Sequence, residues 1–117
     1  MDKVLDLASK LGKEIRQHER YRLLRAAEEK VMADPMATKI QEDIERHLHK
    51  MRQLEAEMKP IEVEDKRELT RLQQVARTNP ALQNLLKVQA DYFEMMNRVN
   101  SAILTELSPE EPEIAQP

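Results

Sequence analysis

The hydrophobic and polar residues of this 117-residue chain follow the repeat of α-helices over most of its length. Apolar side chains recur at alternating three- and four-residue steps, which places them on one face of each helix. The pattern predicts one helical domain over residues 1–107, followed by a disordered acidic tail at 108–117. Within the domain, it predicts five helices, at roughly 2–16, 19–33, 35–58, 65–77 and 80–107.

The first apolar stripe is interrupted. Val4, Ala8, Leu11 and Ile15 share one helical face, and five polar residues then occupy positions 16–20. The stripe that resumes at Tyr21 lags the earlier one by about one residue against the 3.6-residue period. We therefore expect a kink or a short break near His18.

Proline marks three of the ends of two predicted helices. Asp34-Pro35 and Asn79-Pro80 each combine a favoured N-cap residue with proline at the first helical position, where its missing N–H is not needed. Lys59-Pro60 is expected to end the second long helix. The apolar seam of that helix, with one polar member, is Ile40, Ile44, His47, Met51, Leu54 and Met58.

The last helix carries two apolar stripes side by side. The first is Leu82, Leu86, Gln89, Phe93, Met96, Asn100, Ile103 and Leu107, and the second is Leu85, Val88, Tyr92, Met95 and Val99. Together they are wider than a two-helix seam needs. We expect an all-α antiparallel helical hairpin or bundle in which the second and last long helices form the main hairpin. One stripe would pack within the chain and the other on a second copy, most simply as a homodimer.

The predicted interface with a second copy or another protein lies on this last helix. Its residues are Leu82, Leu85, Leu86, Gln89, Tyr92, Phe93, Met96, Val99, Asn100 and Ile103. Gln89 and Asn100 are polar residues within the seam. They either fix the register and number of subunits, as polar seam residues do in coiled coils, or face solvent at the edge of the stripe.

Composition narrows the class of protein. Charged residues make up 35%, aromatic residues 3%, and there is a single glycine, which suits long helices and excludes a β-rich fold. The net charge of −3 comes from three glutamates after Ser108, so the body is neutral, which argues against strong non-specific binding of nucleic acid. The absence of cysteine, of a signal-peptide core and of a run of about 20 apolar residues leads us to expect a cytoplasmic protein.

No residue pattern supports catalysis, a metal or a cofactor. His47 and His49 lie about 200° apart around a helix and cannot share an ion, and no histidine belongs to the Glu-x-x-His motif of di-iron bundles. With Gly12 as the only glycine, a phosphate-binding loop is excluded. We expect a non-catalytic protein that acts by binding other proteins.

A basic group on the first helix and just beyond it supports an alternative. Lys10, Lys13, Arg16, Arg20 and Arg25 could contact RNA, which would make the chain a small RNA-associating or chaperone-like helical protein. The simpler interpretation is a solvated helix face, because acidic residues lie between these cations. A third interpretation is an oligomerisation module with no regulated partner.

The order of these features resembles one known family. The polar break followed by Tyr21, the two proline caps and the apolar residues of the last helix (Leu82, Leu85, Ala90, Phe93, Val99 and Ile103) are together similar to the bacterial YlbF/YmcA proteins over about Val4 to Leu104. The resemblance implies a cytoplasmic helical regulator that forms homo- or hetero-oligomers.

Members of that family are linked to competence, sporulation and biofilm formation, in part through a complex that modulates an mRNA-processing ribonuclease. What the resemblance implies here is a regulatory adaptor whose partners are itself and other proteins, such as related family members or an RNA-processing complex. Some members hold iron–sulfur clusters through cysteines. This chain has no cysteine, so no cluster is implied for it.

Overall fold

The computed structural model describes residues 2–109, and every regular element in that range is an α-helix. The helices are α1 (Asp2–Gln17), α2 (Glu19–Met32), α3 (Pro35–Ala56), α4 (Val63–Thr78) and α5 (Pro80–Leu107). Their ends differ by at most two residues from the limits expected from the sequence. Most of the tail predicted to be disordered, residues 110–117, lies outside the described residues.

The expected break near His18 is a one-residue joint between α1 and α2. His18 has an extended backbone (φ −71°, ψ 144°), and its side chain caps α2 by accepting a hydrogen bond from the backbone N–H of Arg20 at 3.0 Å. A single non-helical residue therefore changes the direction of the chain without a loop. The phase shift of the apolar stripe in the sequence has its cause at this joint.

Both proline-containing helix starts are capped by the residue before the proline. The Asp34 carboxylate accepts hydrogen bonds from the backbone N–H groups of Met36 and Ala37 at 3.0 and 3.2 Å. The Asn79 side-chain oxygen accepts one from the N–H of Leu82 at 3.1 Å. These bonds satisfy N–H groups that have no partner within the helix, and so fix where α3 and α5 begin.

Helix α3 ends earlier than its apolar seam suggests. Ala56 is its last residue, and the N–H groups of Met58 and Lys59 donate to the carbonyls of Glu55 and Leu54 at 3.0 and 2.8 Å. This pair of bonds is a Schellman motif, which needs a left-handed residue after the cap. Met58 takes that position with φ 58° and is 94% exposed, so its expected place in the seam is wrong.

Helix α2 packs most extensively along α5, and α3 packs mainly on α4. The prediction that α3 and α5 form the main hairpin is therefore wrong. The two meet only around the start of α5, where Ile40 and Ile44 join its core residues. The buried core is Leu24, Ala27, Val31, Ala37, Ile40, Ala76, Leu82, Leu85 and Val88. The error arises because the heptad in α3 indicates a partner helix without showing which one it is. The shorter α2, with buried residues along one face, is the helix that packs along α5.

The start of α4 is fixed by an acidic capping box. The Asp65 carboxylate accepts a hydrogen bond from the backbone N–H of Glu62 at 3.3 Å, while the Glu62 side chain caps the N–H of Asp65 in return. Lys50 of α3 donates to the same carboxylate at 3.0 Å, and His47 contacts the Asp65 carbonyl at 2.6 Å. Asp65, which is buried, thereby connects the start of α4 to α3.

The molecule is extended. Its radius of gyration is 20.4 Å, against about 13 Å for a compact domain of this length. Helix α1 has no buried residue, and its only substantial packing is against α2. The core lies where α2, the start of α3, the end of α4 and the first half of α5 meet. Neither α1 nor the second half of α5 contributes a buried residue to it.

We expect Met58→Gly to stabilise the protein by roughly 0.5–1 kcal/mol, because glycine adopts the left-handed conformation without the steric cost of a Cβ atom. The side chain is almost fully exposed, so little packing is lost. Urea unfolding followed by circular dichroism measures the change. Met32→Gly, at the exposed last residue of α2, where φ is negative, is the matched control and should not stabilise. A loss of stability in Met58→Gly would contradict the assignment of the motif.

We expect Asp65→Asn to lower stability at neutral pH and to weaken its dependence on acid. The hydrogen bond from Lys50 lowers the pKa of Asp65 below its ordinary value of 3.8. The Asp65 carboxyl therefore binds a proton more readily in the unfolded chain than in the folded one. The stabilisation that its contact with Lys50 gives the fold is complete above pH 3.8 and is lost as the pH falls below that value. Urea unfolding at about pH 7 and about pH 3 measures the difference. Glu64→Gln, one residue earlier, should keep the acid dependence of the parent.

Candidate interaction surfaces

Helix α5 divides its apolar surface between the core and the solvent. Leu82, Leu85 and Val88 are buried, and Tyr92, Met95 and Val99 are half-buried along the same side. On the adjacent side, Leu86 is 54% exposed and Phe93 56% exposed, and Leu107 continues that row at the carboxyl end. The described part of this chain therefore leaves one apolar side of α5 uncovered.

A groove beside Leu86 enlarges this surface. It has a volume of about 260 Å³ and lies where α3, α4 and α5 meet. Ile44, Ala76 and Leu86 give it an apolar floor, and Gln41, Glu45 and Gln89 supply polar groups. An apolar groove with a few polar groups, continuous with an exposed aromatic ring at Phe93, is the form of surface that receives the apolar face of a helix.

The structure places the ten predicted interface residues in three environments. Leu82 and Leu85 belong to the buried core and are not available to another molecule, which corrects that part of the prediction. The half-buried members are Gln89, Tyr92, Met96 and Val99, and the exposed members are Leu86, Phe93, Asn100 and Ile103. The correction has a simple cause: the sequence pattern of α5 does not show that three other helices converge on its first two turns.

Tyr92 connects the core to the exposed side. Its ring centroid lies 6.0 Å from that of Tyr21 on α2 and 6.0 Å from that of Phe93. Both pairs are tilted, within the range in which aromatic rings attract one another. Phe93 is thus supported by a ring that is itself held against α2, which makes it a well-positioned anchor for a binding partner.

The two polar seam residues have different surroundings. Gln89 is half-buried and lines the groove, whereas Asn100 is exposed on the second half of α5. Asn100 lies seven residues after Phe93 and seven before Leu107, in the row that this chain does not cover. Whether either residue sets register in an assembly remains a prediction.

The predicted basic group is divided between two helices. Lys10, Lys13 and Arg16 lie on α1 and make no ion pair with any residue in the range 2–109. Arg20, on α2, donates to the Asp91 carbonyl at 2.9 Å and to the Glu94 carboxylate at 3.2 Å. Arg25 pairs with Glu28 at 3.0 Å. Two of the five cations are therefore committed to contacts within the chain.

The charged residues between α3 and α4 form a cluster that supports the fold. Arg71 donates to the Glu68 carboxylate through both Nε and Nη2, and this interaction lowers the pKa of the Glu68 carboxyl. His47 is held at the Asp65 carbonyl, while His49 is exposed. Among residues 2–109, no three His, Cys, Asp or Glu side chains come close enough together to hold a metal ion.

Sequence reasoning missed two features of the surface. Leu104, left out of the predicted interface, is 60% exposed beside Leu107. The second feature is the exposure of the apolar face of α1, where Val4, Leu5 and Leu7 are all more than half exposed. The segregation of apolar and polar residues on α1 is visible in the sequence, but only the structure shows that no other part of residues 2–109 buries this face.

The fold of this chain is shared with a protein of known structure. No helix within residues 2–109 has the length and apolar character needed to cross a membrane. A search of curated proteins finds no match. Among solved structures, the chain is similar to a protein of unknown function (DUF964) from Bacillus stearothermophilus, with 18% identity, a TM-score of 0.77, and coverage of 90% of this chain and 92% of the other. That similarity shows a shared fold.

The family comparison gives the assignment. The model described as "Control of competence regulator ComK, YlbF/YmcA" matches residues 4–108, nearly all of the described range. This description gives the family a regulatory role. The match agrees with the resemblance noted in the polar break, the two proline caps and the apolar pattern of α5, and the chain belongs to the YlbF/YmcA family.

Proposed function

We propose that this protein is a non-catalytic regulatory adaptor that binds a helix of a partner protein in the groove beside Leu86 and on the ring of Phe93. The observation that carries the proposal is the uncovered apolar side of α5 next to that groove. The regulatory description of the family is consistent with it. Control of competence, sporulation, biofilm formation or mRNA processing would then follow from which partner is bound.

Burial energetics favour such an association. Covering a large apolar side chain contributes roughly 1.5–3 kcal/mol relative to leaving it in water. Leu86 and Phe93 lie about two turns apart on the same side of α5, and Ile44 and Ala76 line the groove next to Leu86. Aromatic anchors at the centre of a patch supply much of the affinity of protein interfaces. Gln41, Glu45 and Gln89 at the groove offer hydrogen bonds that would set the orientation of the partner helix.

The alternative function uses the cations of α1. Lys10, Lys13 and Arg16 are exposed and free of ion pairs within the described range, so they could contact phosphate groups of RNA. Three cations on one helix, interspersed with Asp6 and Glu14, make a weak field compared with the clusters that bind nucleic acid. The apolar surface of α5 is the better developed of the two features.

We expect a photo-crosslinking amino acid, benzoylphenylalanine, placed at Phe93 to join the protein covalently to a defined partner in its native host. The matched position is Lys87, which is exposed on the same helix about two turns earlier but on its polar side. Mass spectrometry of the crosslinked bands identifies the partner, and Leu86→Glu in the same chain should abolish the band. Equal crosslinking from Lys87, or none from Phe93, would contradict the proposal.

We expect reversal of Lys10, Lys13 and Arg16 to Glu to leave the Phe93 crosslink unchanged, because these residues lie on α1, away from the groove. The same variant separates the two functions through a fluorescent single-stranded RNA, measured by anisotropy at about 50 and 200 mM salt. Contacts with phosphates weaken steeply over that range, whereas apolar packing does not. Salt-sensitive RNA binding that disappears in the charge-reversed variant would favour the alternative.

A further inference from the structure

Helix α1 is an amphipathic helix without a partner surface. Val4, Leu7, Ala8, Leu11 and Ile15 share one face, and no residue of the helix is buried. Its only substantial packing is with α2, the helix that follows the joint at His18. An isolated helix of 16 residues is marginally stable in water, so a helix of this kind depends on docking its apolar face.

A second apolar surface that residues 2–109 leave largely open is the α5 arm, defined here as residues 95–107, in which Met95, Met96 and Val99 are half-buried. Arg20 and Tyr21, near the start of α2, contact residues 91–94 of α5, so α2 does not extend along the arm. Every residue from Asn100 to Leu107 is exposed. Leu104 is 60% exposed and Leu107 72% exposed, which is unusual for large apolar side chains on adjacent turns.

The two surfaces correspond in position and length. Helix α1 precedes the start of α2, and the α5 arm follows the residues that contact that start, so both extend from the same end of the body. Val4 to Ile15 spans ~16 Å along α1, and Met96 to Leu107 spans the same ~16 Å along the arm. Within one chain the turn at His18 keeps them from packing together, since α1 packs substantially on α2 alone.

We infer that α1 of one copy covers the α5 arm of a second copy, whose α1 covers the first arm in return. A two-fold reciprocal exchange of this kind closes without leaving either surface free. It names one partner of the association proposed above, and in that sense it rests on the proposed function. The groove beside Leu86 lies outside the exchanged surfaces, so a dimer can still bind another protein there.

The apolar area that α1 and the α5 arm can bury together is sufficient for a stable dimer. Nine apolar side chains on each copy take part, at roughly 80 Å² each. They are Val4, Leu7, Ala8, Leu11 and Ile15 of α1 with Met96, Ile103, Leu104 and Leu107 of the arm. They give about 700 Å² per copy, close to the ~800 Å² per partner of a standard interface. Pairing the two α5 arms alone would use four of the nine side chains and fall well short.

The first test is the dimer dissociation constant of the full chain, measured by sedimentation equilibrium. Leu7→Glu and Leu104→Glu should each weaken dimerisation at least ~100-fold, because each removes an apolar contact from both halves of the interface. Both residues are exposed in the single chain, so the core is untouched and circular dichroism should show an intact fold. Ser9→Glu and Thr105→Glu, on the polar sides of the same helices, are the matched controls and should leave dimerisation unchanged.

The second test uses the absence of cysteine from the chain. Leu7→Cys is mixed with Leu104→Cys under mild oxidation, and Ile103→Cys and Leu107→Cys extend the series to other registers. Each protein carries a single thiol, so a disulfide can join only two chains. We expect mixed α1–α5 disulfides in this series and none when Ser9→Cys is mixed with Thr105→Cys.

Three results would overturn the exchange: a monomer at about 100 μM, a dimer that Leu7→Glu leaves unchanged, or loss of binding to phosphatidylserine vesicles as the only effect of Leu7→Glu. The second would assign the dimer to α5 alone, and the third would assign α1 to a lipid surface. The Phe93 crosslink is scored separately. If the protein is a monomer and Phe93 still crosslinks to a partner, the proposed function stands and the exchange is wrong. If the exchanged dimer forms and Phe93 crosslinks to no partner, the exchange stands and the proposed function is wrong.

Discussion

The close approach of α2 to α5 and to the start of α3 is the constraint on which the rest of the structure depends. Ala27 and Ala37 are the most buried residues, at 1% and 0% exposure, and their small side chains let the helices come close together. The buried cluster draws its residues from α2, the start of α3, the end of α4 and the first half of α5. Within residues 2–109, the second half of α5 and all of α1 contribute no buried residue.

This distribution of burial separates stability from binding. The helix caps at Asp34 and Asn79 and the contacts of Asp65 hold the helix ends in place through polar groups. The buried residues of α5 all lie in its first half, whereas Leu86 and Phe93 remain at the surface, where association with another chain could bury them. The association proposed above would draw its affinity from residues that contribute little to the fold.

Much of the fold could be predicted from the sequence because its signals are local. The caps before Pro35 and Pro80, and the phase shift at His18, each depend on neighbouring residues only, and they set the helix ends. The pairing of helices could not be predicted, because the apolar face of α3 is as regular as that of α2. For the same reason, the sequence pattern places Leu82 and Leu85 in an interface although they belong to the core. An apolar stripe shows which residues avoid water but not which helix covers them.

The single residue between α1 and α2 has a mechanical consequence. Because His18 is the only non-helical position there, the orientation of a rod ~24 Å long is set by one pair of backbone torsions. A 10° rotation at that pivot would displace the amino end of the rod by ~4 Å, about three-quarters of the rise of one helical turn. Small local adjustments at the pivot are thereby amplified into large movements at its tip.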